Sequence, residues 1–136
     1  MTDFSERLKR SLTGVNAAFD AADADLHAVI AEAARGVQEN TNGKATLALD
    51  VKKDDDRGTV YALVLDTRDD KQELVRITVQ RGGYPILFTS ESLESSRGVK
   101  VTNRTELEEE VTAMASNPDS PLVVKLAFLM RKERVS

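Results

Sequence analysis

The stretch that decides the fold runs from Lys44 to Thr89: KATLALDVKKDDDRGTVYALVLDTRDDKQELVRITVQRGGYPILFT. Apolar and polar residues alternate along it with a period of two, the pattern of half-buried strands. Four runs read as strands: Lys44–Lys53, Thr59–Thr67, Gln72–Gln80 and Tyr84–Thr89. The connections Asp54–Gly58, Arg68–Lys71 and Gly82-Gly83 have hairpin lengths, and Gly-Gly tolerates the positive φ of a primed turn. The prediction is a four-stranded antiparallel meander over 44–89.

The turns also predict a register. Lys53 opposite Gly58 pairs Leu47 with Val64, Leu49 with Ala62 and Val51 with Val60. Thr67 opposite Gln72 pairs Val64 with Val75, Ala62 with Ile77 and Val60 with Val79. Arg81 opposite Tyr84 pairs Val79 with Ile86 and Ile77 with Phe88. All these side chains then share one face, and a slip of one residue in any hairpin breaks the match. The other face carries Tyr61, Leu63, Leu65, Leu74 and Leu87 beside Arg76. A solvated face is mostly polar, so these residues call for a cover. The cover is either the C-terminal helices of the same chain or a second chain.

Before the meander, residues 3–38 contain nine Ala and no Pro, a helical composition. Asp3 and Glu6 have capping-box spacing. Apolar positions recur at Phe4, Leu8, Leu12, Val15, Phe19, Ala22, Leu26, Val29 and Ala33, one face of a helix. Asn40-Thr41-Asn42-Gly43 is a stop signal. A single helix of this length would overhang any sheet the rest of the chain can build, since each residue adds about 1.5 Å. Gly14 is the expected break, giving a segment over 4–13 and a longer one over 15–38. The same spacing permits a coiled coil; the Ala-rich stripe and irregular flanking charges favour packing on the sheet.

After the meander, residues 90–98 are polar and Ser-rich, and read as a loop. Val99-Lys100-Val101 has the composition of a short fifth strand. Asn103 or Thr105 caps a helix with Glu residues in its first turns, where the helix dipole favours them. Asn117-Pro118 ends it. Ser120 and Pro121 then open a last helix, apolar nearly all round and therefore expected to be largely buried. The fold class is α+β: an N-terminal helical region (1–38), the meander (44–89), a loop with the short strand (90–103) and two helices (104–136). All are expected to form one domain.

Composition narrows the chemistry. The 136 residues carry 19 Lys+Arg and 23 Asp+Glu, one His and no Cys, for a net charge of −4. No thiolate nucleophile, disulfide or Cys-ligated metal is available, and one His does not make the usual multi-His site. The acidic balance argues against duplex nucleic acid. There is no long apolar run and no apolar leader segment after the N-terminal cations, so a cytoplasmic protein is expected. The charged tips Lys52–Gly58 and Arg68–Lys71 read as solvated turns, not cation loops. Neither a G-x-x-x-x-G-K-[ST] loop, a G-x-G-x-x-G fingerprint nor a G-x-S-x-G elbow is present, and His27 on the helix reads as structural. Neither a cofactor nor a metal is expected, and no motif points to a known family.

The expected function is non-enzymatic: a regulatory, chaperone-like or inhibitor-type interaction protein, as a homodimer or with a protein partner. Its contact residues on this reading are Tyr61, Leu63, Leu65, Leu74 and Leu87, with Arg76 fixing orientation. The alternative is a small anionic ligand or nucleotide, with or without hydrolysis, at Arg76, Arg81 and Tyr84, in the mildly basic stretch 68–104.

Overall fold

A computed structural model describes residues 2–89 and 98–135 of the chain. The expected loop over 90–98 falls almost wholly outside them. The architecture is α+β: an N-terminal helix α1 (Thr2–Thr41), a sheet of strands β1 (Ala45–Asp55), β2 (Gly58–Thr67), β3 (Lys71–Gln80), β4 (Gly83–Thr89) and β5 (Val99–Val101), then helices α2 (Arg104–Ser116) and α3 (Pro121–Val135). The sheet is antiparallel throughout, in the order β1-β2-β3-β4-β5.

α1 is one helix of 40 residues, unbroken at Gly14. A helical Gly costs about 1 kcal/mol relative to Ala, too little to end a helix flanked by good formers. Nothing packs near Gly14 to bend it either. The helix is about 60 Å long, while the ten-residue strands of the sheet reach about 33 Å.

The register differs from the expected one in all three hairpins. Between β1 and β2, Leu47 pairs with Leu65, Leu49 with Leu63 and Val51 with Tyr61, and the ladder shifts between Val51 and Lys53. The strands continue to Asp55 opposite Gly58, leaving only Asp56 and Arg57 as the turn. Asp55 closes it by accepting the Arg57 N–H at 2.9 Å, and Gly58 sits at φ +152°. Between β2 and β3, Tyr61 pairs with Ile77 and Leu63 with Val75, and Leu74 is the extra residue of a bulge. Thr67 and Asp70 close that turn through reciprocal backbone bonds. In the third hairpin Ile77 pairs with Phe88 as expected, but the ladder shifts between Thr78 and Gln80, and Gln80 pairs with Gly83 in place of the expected Arg81 opposite Tyr84.

Each bulge reverses the side-chain parity of its strand. Tyr61, Leu63, Leu65 and Leu74 therefore join Leu47, Ile77, Val79, Ile86 and Phe88 in the core under α1. Val60, Ala62 and Val64 take the other side. There the short Ala62 and Val64 lie between longer neighbours, Asp50 and Arg76 across from the first and Glu73 across from the second. That open face carries the ion pairs Arg76–Glu73 (3.2 Å) and Lys71–Asp50 (3.3 Å).

α2 is capped by Asn103, whose side chain accepts the Glu106 N–H at 2.9 Å. Glu106 reaches back to the Thr102 N–H and hydroxyl. Ser120 caps α3 through the Val123 N–H, ahead of Pro121 at the first helical position. α3 is not largely buried, as its composition suggested. Leu122 is buried and Leu126 and Leu129 are half-buried, while Val124, Phe128 and Met130 face solvent. The helix is held by its start against α2 and by Lys125–Asp70 and Lys132–Asp69 at the β2–β3 turn, so only one side meets the body.

Candidate functional site

α1 divides at the edge of the sheet. From Ala22 to Val37 its apolar stripe is core: Ala22, Leu26, Val29, Ile30 and Val37 are buried. The helix meets the sheet edge at the β3–β4 turn. There Gly83, at φ +89°, brings its backbone so close to the Ala18 carbonyl that a Cβ would sit 2.6 Å away. Arg81 stacks its guanidinium over the Phe19 ring, 4.8 Å from the centroid. Asp54 pairs with the same guanidinium, and the Asp55 carbonyl accepts its Nε–H at 2.8 Å.

Every residue from Asp3 to Ala18 is exposed. The stripe nevertheless continues. Phe4 (65%), Leu8 (46%), Leu12 (56%) and Val15 (46%) are large apolar side chains open to solvent. They lie on the helical face that is buried further along, and the intervening charges Glu6, Arg7, Lys9 and Arg10 lie off it. About 26 Å of amphipathic helix thus projects from the body with its apolar side uncovered.

Two polar clasps fasten the docked half of α1. In the first, the Tyr61 hydroxyl donates to Asp23 at 2.5 Å, and the His27 ring stands edge-on to Tyr61 with Nε2 at 3.2 Å from the hydroxyl. In the second, the Tyr84 hydroxyl donates to Asp25 at 2.7 Å, and Arg104 of α2 reaches the same carboxylate at 3.3 Å. Burial, with the adjoining carboxylate second, pushes both phenol pKa values well above their ordinary value. Tyr61 and Tyr84 are therefore held as neutral donors, the opposite of an activated phenolate. The Asp23–Tyr61–His27 grouping ties helix to sheet. Nothing in the sequence pattern announced these partners beyond two Asp inside a helix and the chain's two Tyr in strands.

The contact residues expected from the sequence are divided by the fold. Tyr61, Leu63, Leu65 and Leu74 are core side chains, at most 6% exposed. Arg76 lies on the open face, paired with Glu73, and Leu87 is half-buried on that face opposite Thr78 and Lys100. The alternative trio is not assembled either. Tyr84 reaches α1 on the covered face, Arg76 projects from the opposite face, and Arg81 is engaged at the turn by Asp54 and Phe19.

A groove of about 390 Å³ lies between the end of α1, the sheet and the last two helices, lined by Val37, Leu47, Leu63, Val111, Met114 and Leu122 among others. Among the described residues lining it Asn40 is the one polar side chain, and it donates to the Gly36 carbonyl at 2.8 Å. Among the described residues no group of three His, Asp or Glu side chains is placed to hold a metal. None of their helices is long and apolar enough to cross a membrane. No family model, no curated protein and no solved structure matches this chain.

Proposed function

We propose that this chain is a non-enzymatic, cytoplasmic protein-interaction module. Its contact surface on this reading is the projecting half of α1, in place of the sheet residues expected from the sequence. The observation that carries the reading is the continuous stripe Phe4, Leu8, Leu12 and Val15, solvent-exposed on a helix already ordered by its docked half. Exposed apolar patches of this kind mark interaction sites. A helix held in place beforehand forfeits little ordering entropy on binding.

Other surfaces support the choice. The open sheet face is crossed by ion pairs and carries short apolar side chains. The long edge strand β1 has a bulge and the charges Lys52, Lys53, Asp54 and Asp55, devices that discourage strand addition.

A photo-crosslinking residue at Leu12, introduced in the cells that make the protein, tests the reading. Adducts are expected at Leu12 and not at Ala17 on the opposite side of the same helix. Equal labelling at both positions, or none at Leu12, would overturn it.

A further inference from the structure

We infer that the occupant of the projecting stripe is a single amphipathic helix of a different protein, its apolar face bordered by carboxylates. The inference rests on the interaction reading above and names the chemistry of the partner.

The shape of the site limits what can enter it. The stripe Phe4, Leu8, Leu12 and Val15 lies on the side of α1 that is buried on the body from Ala22 onward. The sheet stops at Ala18–Phe19, where Gly83 packs on the Ala18 carbonyl and Arg81 on the Phe19 ring. The β1–β2 turn stands at the same end, since the Arg81 N–H donates to the Arg57 carbonyl at 3.1 Å. Helix and sheet end therefore form an inside corner. One arm is about 16 Å of apolar helix, from Phe4 to Val15. The other is the pair of turns. A broad flat surface such as a membrane, laid along the stripe, would have to pass through the sheet. A helix, about 10–12 Å across with its side chains, fits the layer beneath α1 that the sheet occupies further along. Apolar anchors spaced as Phe4, Leu8, Leu12 and Val15 are the reading edge of helix-to-helix recognition.

Charge then selects the partner. Viewed down the axis, Arg7 and Lys9 each lie about 60° from the nearest stripe residue, one on either border. Asp3, Glu6 and Arg10 lie about 100° or more away, toward the back. The charges nearest the stripe are thus both cationic, and residues 7–18 hold three cations and no anion in a chain of net charge −4. Arg7 pairs with Asp3 at 3.3 Å, but the two side chains are 78% and 75% exposed. Such a pair is weak and yields to a partner's carboxylate. The docked half shows the reverse arrangement. Its borders carry Asp23 and Asp25, and the body answers them with donors, the hydroxyls of Tyr61 and Tyr84 and the guanidinium of Arg104. Cationic borders call for acceptors, so the partner carries Asp or Glu beside its apolar face. A second copy does not meet that requirement. The sheet end confines the overlap to residues 4–15, where a second copy would set Arg7, Lys9 and Arg10 against the same three cations.

The full chain carrying a photo-crosslinking residue at Leu12, expressed in the cells that make it, tests this. Adducts are digested and the cross-linked residue is located by mass spectrometry. It is expected on a segment of another protein with apolar residues three and four apart and Asp or Glu beside them. Arg7→Gln/Lys9→Gln keeps helix propensity and removes the charge, and is expected to lower the adduct yield about fivefold, the factor that two exposed ion pairs set. Arg7→Lys/Lys9→Arg keeps the charge and is expected to stay within about twofold of the parent. Circular dichroism and thermal midpoint are expected to match the parent in both variants. Four results overturn the proposal and leave the interaction reading standing: a parent yield from the Gln pair, an equal loss in both variants, adducts on a segment without flanking carboxylates, or adducts on a second copy. Adducts with lipid, or none at Leu12, remove both.

Discussion

The two halves of α1 share one helix and one apolar stripe, and they differ only in what lies beneath them. From Ala22 to Val37 the stripe is core; from Phe4 to Val15 it is open to water. The spacing of four and three continues across the boundary at Ala18–Phe19 without a break. What changes there is the sheet, which ends at the β3–β4 turn. Periodicity therefore reports which side of a helix wants burial. It does not report whether the chain itself supplies the cover; that depends on the ratio of helix length to strand length.

The sharpest way to break the comparison is to truncate one side chain in each half. Leu26 is fully buried, and Leu26→Ala is expected to cost about 2–5 kcal/mol in urea unfolding, the range for a buried Leu that leaves a cavity. Leu12→Ala, measured in dilute protein, is expected to stay within about 0.5 kcal/mol of the parent, as at exposed sites without tertiary partners. A loss at Leu12 approaching that at Leu26 would mean the projecting half is covered in the monomer.

Some of this was legible in the residues and some was not. The meander, its four strands, the short fifth strand and the two closing helices follow from alternation, turn chemistry and caps. Which face of β2 turns inward does not. Val60 to Leu65 is apolar on both parities, so alternation along that strand carries no preference. The decision passes to the bulges near Lys52 and at Leu74, each a single inserted residue. Turn length alone could not reveal them, and they moved Tyr61, Leu63, Leu65 and Leu74 from the supposed docking face into the core. The stripe at Phe4, Leu8, Leu12 and Val15 was visible from the start. Its exposure was not, because Gly14 was credited with a break that a penalty of about 1 kcal/mol does not enforce.

The polar clasps sharpen the comparison further, since they fasten only the docked half. Tyr61→Phe removes the hydroxyl from Asp23 and His27 and is expected to cost about 1.5–3 kcal/mol, the worth of a bond to a charged acceptor. The same site carries a pH signature. The fold raises the pKa of both tyrosines above the ordinary value near 10, so the folded chain favours the un-ionised hydroxyls. Their contribution is complete below pH 10 and declines as pH climbs beyond it. Phenolate absorbance should therefore stay low through pH 10 in the folded protein and rise only at more alkaline pH. In urea-unfolded protein the same absorbance should rise around pH 10. Titration of the folded chain at the unfolded position would show that the clasps do not hold in solution.

The smallest effect is the most discriminating about dynamics, and it uses the two glycines inside α1. Gly14 lies in the projecting half and Gly36 in the docked half, and an added Cβ meets nothing within 4 Å at either. Both replacements by Ala relieve the same backbone penalty, about 1 kcal/mol for a helix interior. They should register differently. Gly36 belongs to a segment that unfolds with the core, so Gly36→Ala is expected to raise global stability by about 0.5–1 kcal/mol. Among the described residues nothing of the body covers the projecting half, and it opens by local fraying. Gly14→Ala should therefore leave the global unfolding midpoint nearly unchanged. It should instead slow amide exchange over residues 4–14 about fivefold, the ratio that 1 kcal/mol sets for a local opening. Equal gains in global stability from the two substitutions would show that α1 melts as a single unit, and that its halves differ in exposure but not in cooperativity.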